Sequence, residues 1–112
     1  MSLWAASLIG LIIVYILSWV CGLAFNIKGD KFYNYFHFAG GCLTALFFFS
    51  LTKNYFYSFI LTFIITILWE IHEVLLWKYF KLIEKPKSKD TKTDIFIGNL
   101  AAILTLLFLR FL

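Results

Sequence analysis

Four apolar stretches, each about long enough to cross a bilayer and separated by polar breaks, leave this 112-residue chain few ways to fold. A helical crossing needs about 20 consecutive apolar residues, and the stretches run roughly over residues 3–25, 35–51, 55–80 and 94–112. Their apolar character is continuous rather than alternating at every second residue, which excludes a β-barrel. The expected fold class is therefore all-α, an integral membrane four-helix bundle with one transmembrane domain over residues 1–112. With 62% hydrophobic and only 14% charged residues, no stretch is left for a separate soluble domain. The first span is too long, and too poor in N-terminal positive charge, to read as a cleaved signal peptide.

The breaks set the path of the chain. Asn26-Ile27-Lys28-Gly29-Asp30-Lys31 is turn-like and charged, and Thr52-Lys53-Asn54 is so short that spans two and three must form an antiparallel hairpin. The third span, at about 39 Å for 26 residues, exceeds a 30 Å hydrocarbon core and must tilt or project into the interface. Residues 81–93 form a basic loop holding the single proline. Lys28, Lys31, Lys78, Lys81, Lys85, Lys87, Lys89 and Lys92 fall at one end of the four spans, against Lys53 and Arg110 at the other. The positive-inside rule then predicts a multi-pass protein with both termini outside the cytoplasm and the 81–93 loop within it. The net charge of +4 is accounted for by this topology signal, with anionic lipid or a partner as the alternative, and carries no indication of nucleic acid.

Each span carries a stripe of small or polar residues at helical spacing, the pattern by which membrane helices pack when lipid and protein interior are equally apolar. Ser7, Gly10, Val14, Ser18, Cys21 and Gly22 form the first, and His37, Gly40, Gly41, Thr44 and Ala45 the second. Ser58, Thr62, Thr66, Glu70 and Glu73 form the third, and Asp94, Gly98, Ala101, Ala102 and Thr105 the fourth. All four can face one bundle axis, with Gly40 and Gly41 read together as a point of close packing.

Glu70 and Glu73 are the residues a membrane span should least contain. An ionised carboxylate at bilayer depth costs about 2.5 to 3.5 kcal/mol even on lenient insertion scales, and these two lie one helical turn apart on one face. His37 opens span two, while Asp90, Asp94 and Asn99 flank the start of span four, so all six are expected to converge on the cytoplasmic side of the bundle around a water-filled pocket. His37, Glu70, Glu73 and Asp94 are the candidate catalytic residues, and Asn99 a further polar member. Carboxylates suit Mg2+ or Mn2+ and an added imidazole suits Zn2+, so Glu70, Glu73, His37 and Asp90 form a candidate divalent-metal site. Alternatively Glu70 and Glu73 share one proton and divide general acid and base roles. The competing structural reading is that these groups simply hydrogen-bond helices together.

Other residues have simpler expectations. His72 projects about 200° from Glu70 on the helix and is expected at a helix or subunit interface. Asp90 is a candidate N-cap of a helical turn, as is Thr93 for the last span with Asp94 in its first turn. Trp4, Tyr55, Tyr57, Trp77 and Tyr79 lie near span ends, where aromatic belts form. Cys21 and Cys42 have neither metal-site spacing nor a loop partner and read as buried small residues.

The segments Tyr35-Phe36-His37-Phe38-Ala39-Gly40-Gly41, Trp69-Glu70-Ile71-His72-Glu73 and Asp90-Thr91-Lys92-Thr93-Asp94-Ile95-Phe96-Ile97-Gly98-Asn99 resemble the VanZ-like and related YjdF-type small membrane proteins. The resemblance covers most of the chain from Tyr35 on, with Asp94 and Asn99 five apart where four is usual. It implies a short helical bundle whose substrate is a lipid or a lipid-linked precursor of the cell envelope. Two other classes stay open: a small, homo-oligomeric proton-coupled transporter using Glu70 or Glu73, and an accessory subunit of a larger membrane complex.

Overall fold

The computed structural model of the chain describes residues 2–23, 30–80 and 88–111. Residues 26–29 of the turn expected at 26–31, the stretch 81–87 of the basic loop and the side chain of Asp90 lie outside the described residues, while Asp30 and Lys31 of that expected turn are already helical. The described residues form four α-helices, α1 (Leu3–Leu23), α2 (Asp30–Thr52), α3 (Tyr55–Leu75) and α4 (Ser88–Arg110), with α3 continuing into a π-helical turn over Leu76–Phe80. All four are long and apolar enough to cross a membrane, and the protein is an all-α, multi-pass membrane bundle. Among the described residues there is no strand. Helix α4 starts six residues before the expected boundary at 94, so Lys89 to Thr93 are helical rather than loop. Thr93 therefore cannot cap this helix, and Asp94 sits in its second turn instead of its first.

The connection between α2 and α3 is tight for a definable reason. Lys53 adopts a left-handed backbone, φ 55°, and its N–H donates to the Phe49 carbonyl at 2.8 Å, closing the last turn of α2. Asn54 then turns extended and caps α3, its Oδ1 accepting from the Tyr57 N–H at 2.9 Å. The Ser58 hydroxyl donates to the Asn54 carbonyl at 2.6 Å and lies 3.1 Å from the Thr52 hydroxyl, so the polar groups of the hairpin satisfy one another.

Residue pairing gives the relative directions of the helices. Thr66 meets Gly98 and Asn99 while Glu70 meets Asp94, so α3 and α4 run antiparallel. Gly41 meets Gly98 and His37 meets Asp94 at a constant offset, so α2 and α4 run parallel. Helix α2 is central and packs against the other three, α3 also packs on α4, and α1 lies against α2.

The packed interior is made of small side chains. Ala45, Ala101, Ala102, Ser58 and Thr62 are fully buried, whereas Ile12, Ile16, Phe56 and Phe108 point outward and are more than half exposed. That is the inverse of a soluble core and suits a surround of lipid, because close backbone approach replaces apolar burial as the source of cohesion. The hydroxyls in the stripes act by their size. Ser7, Thr44, Ser58 and Thr62 each donate to the carbonyl four residues back, and Thr66 to the carbonyl three residues back. They fill little space and leave no donor exposed to hydrocarbon.

The glycines distinguish themselves. A Cβ on Gly41 would penetrate the Gly98 carbonyl, and a Cβ on Gly98 would meet the Thr66 methyl at 2.9 Å, so α2, α3 and α4 touch at one level. Gly40, read from sequence as half of a packing pair, has nothing within 4 Å of the equivalent position. Only Gly41 faces the neighbouring helix, because adjacent residues on a helix point about 100° apart.

Candidate functional site

One helical turn from the Gly41–Gly98–Thr66 level, each of the three helices places a polar side chain at a common depth. The position is set by the same spacing: His37 stands four residues before Gly41, Asp94 four before Gly98, and Glu70 four after Thr66 on the antiparallel helix. His37 Nε2 and Asp94 Oδ2 are 3.2 Å apart, with the side chains 16% and 12% exposed. An oxygen of Glu70 completes a group of three donor atoms, all within 4.8 Å of one another. Glu70 is 7% exposed, and its Oε2 is buried with no hydrogen-bond partner. A buried carboxylate oxygen without a partner is costly in any interior, and among the described residues this is the one acidic oxygen so placed.

Glu73 stands beside the three without joining them. Its Oε1 accepts from the Trp69 indole N–H at 3.0 Å, while its carboxyl interacts with Glu70, His37 and Asp94. Trp69 also packs edge-on to His37, ring centroids 6.5 Å apart, so one residue positions both the imidazole and the second glutamate. The sequence carries the signal for the Glu73 contact in the four-residue spacing of Trp69 and Glu73 on one helix. Thr91 was not singled out, yet its hydroxyl lies by Glu70 at the first turns of α4.

Two residues expected in the site lie elsewhere or are not described. Asn99 is one turn deeper, where its Nδ2 donates to Ile95 O at 2.8 Å and to Thr66 Oγ1 at 3.3 Å, tying α4 to α3 beneath the cluster. Asp90 belongs to the first turn of α4, and its side chain is outside the described residues; Asp94 supplies the carboxylate from that helix. His72 points away, as its helical angle requires. Its Nε2 lies 3.4 Å from the Tyr15 hydroxyl, and with Trp69 it builds an aromatic contact with Tyr15 of α1, a helix whose backbone, among the described residues, packs closely on α2 alone. Cys21 and Cys42 are free thiols on different helices, Cys42 with its Sγ 3.9 Å from the Ala101 carbonyl.

Beside Glu70 a cleft of about 320 Å³ opens between α3 and α4. Ile67, Ile71, Val74 and Leu75 wall it on α3, with Thr91 and Ile95 on α4. Ile67, Ile71, Val74 and Leu75 are all exposed on the outer surface of the bundle, so the cleft faces laterally, where a bilayer's acyl chains would lie. The geometry therefore joins a polar cluster to an apolar side opening. No family model matches the sequence, and no curated protein or solved structure is significantly similar to it.

Proposed function

We propose that the protein binds, and by general acid–base chemistry processes, a lipid or lipid-linked substrate of the cell envelope at the His37, Glu70 and Asp94 cluster. The observation that carries this reading is the buried, unpartnered Oε2 of Glu70 at the edge of an apolar cleft open to the side. An amphiphile fits both halves: the chain in the cleft between α3 and α4, the polar head at the carboxylates and imidazole. Glu73, held by Trp69, stands as the second carboxyl group, and unequal surroundings suit two neighbouring carboxyls to acid and base roles. The lysine distribution puts this end of the bundle at the cytoplasmic leaflet. The resemblance to VanZ-like proteins points to the same substrate class.

The test is lipid analysis of the protein purified in mild detergent from its own membranes. A lipid class enriched with the wild-type chain and lost from Glu70→Gln, at equal helicity and yield, is the expected result. Equal lipid profiles for the two proteins would remove the reading. The adjacency of the Glu70 and Glu73 carboxyls also supports a second reading, a small proton-coupled transporter, since neighbouring carboxyls can hold one proton between them. Vesicles showing no proton flux that depends on Glu70 or Glu73 would dismiss it.

A further inference from the structure

We infer that His37, Glu70 and Asp94 form a binding site for one first-row divalent transition cation of the Zn2+ or Mn2+ class. The inference deepens the substrate-binding reading by giving its polar cluster a resident ion, and it rests on that reading only in sharing the residues.

Three independent features support it. The first is ligand separation. Donor atoms on a tetrahedral zinc ion stand about 3.4 Å apart, given metal–ligand bonds near 2.1 Å. His37 Nε2 and Asp94 Oδ2 already stand 3.2 Å apart, and one donor atom from each of His37, Glu70 and Asp94 lies within 4.8 Å of the other two. The second is the orphan oxygen. Glu70 is more than nine-tenths buried and its Oε2 has no partner, so a cation supplies the interaction the protein does not. The third is charge. Glu70, Glu73 and Asp94 gather three carboxyl groups around one imidazole, and among the described residues the 3.2 Å contact of His37 with Asp94 is the only one between a basic side chain and a carboxyl group. A divalent ion is the counter-charge that lets these carboxyls ionise in a surround where isolated charges are strongly disfavoured.

The donor set chooses the ion class. One imidazole nitrogen with two carboxylate oxygens suits Zn2+ or Mn2+, while Mg2+ prefers an all-oxygen, largely hydrated octahedron. Three protein ligands also leave coordination positions open, the arrangement of sites that accept water or a substrate oxygen. Glu73 and Trp69 then act as outer partners that hold the ligands in place.

The experiment uses the full chain in detergent, stripped with a chelator and titrated with Co2+ as a coloured substitute for Zn2+. A visible absorption band that saturates at a single Co2+ per chain, is displaced by Zn2+ and persists in excess Mg2+ is expected. His37→Gln, Glu70→Gln and Asp94→Asn should each lose the band, and His72→Gln should keep it. Thermal unfolding of the wild-type chain provides the readout that needs no variant: Zn2+ should raise the midpoint, as any ligand of the folded state does. No saturable band and no thermal shift in the wild type would overturn the proposal, as would a band that survives in all three ligand variants or disappears in His72→Gln. Because lipid retention is measured separately, Co2+ binding without a Glu70-dependent lipid leaves the cation site standing and removes the lipid reading. The opposite result does the reverse.

Discussion

Gly41 of α2 lies directly against the carbonyl of Gly98 on α4, one helical turn from the 3.2 Å pair that His37 and Asp94 make across the same two helices. The close approach and the polar pair are one construction. Two helices can bring an imidazole and a carboxylate together only if the backbones below them are near, and the missing Cβ of Gly41 permits that nearness.

The neighbouring glycines should therefore respond oppositely. Gly41→Ala forces the backbone of α4 aside, and overpacking of this kind costs roughly 1–3 kcal/mol. Gly40→Ala meets open space and should be neutral or stabilise by up to about 1 kcal/mol through helix propensity. Unfolding of both variants in mixed micelles, followed by circular dichroism, checks this; similar losses at the two positions would contradict the close crossing at Gly41.

The hairpin should depend on its cap. Asn54→Ala removes the acceptor for the Tyr57 N–H, and losing such a cap costs about 1 kcal/mol. Asn54→Asp or Asn54→Ser should recover most of it. An alanine variant with an unchanged unfolding midpoint would show that the cap contributes nothing here.

His37 and Asp94 should prove coupled. Either single change leaves the other group half-buried without its partner, and residues in one polar network show interaction energies of about 0.5–3 kcal/mol. The double variant His37→Gln with Asp94→Asn should accordingly lose less stability than the sum of the two singles. Strict additivity in a double-mutant cycle would argue that the 3.2 Å contact has no energetic weight.

Asn99 offers the contrasting case. Its Nδ2 bonds Thr66 and the Ile95 carbonyl, while its Oδ1 is buried with no partner. Asn99→Leu removes the two bonds and the unsatisfied oxygen together, so the net loss should stay within about 1.5 kcal/mol. It should leave Co2+ binding at the cluster in place. Loss of the cobalt band in a folded Asn99→Leu protein would return Asn99 to the site.

Much of the architecture was written in the chain itself. Four continuous apolar runs, the break at Thr52-Lys53-Asn54 and the small-residue stripes prescribe four membrane-grade helices and the α2–α3 hairpin, because span length and the 3.6-residue period are properties of single segments. The face shared by Ser58, Thr62, Thr66 and Glu70 was legible for the same reason. Tertiary structure decided the rest. It separated Gly41 from Gly40, moved Asn99 out of the cluster and set the distance at which Asp94 meets His37. Each of these depends on the depth and distance at which one helix crosses another, and no periodicity within a helix records where its neighbour stands.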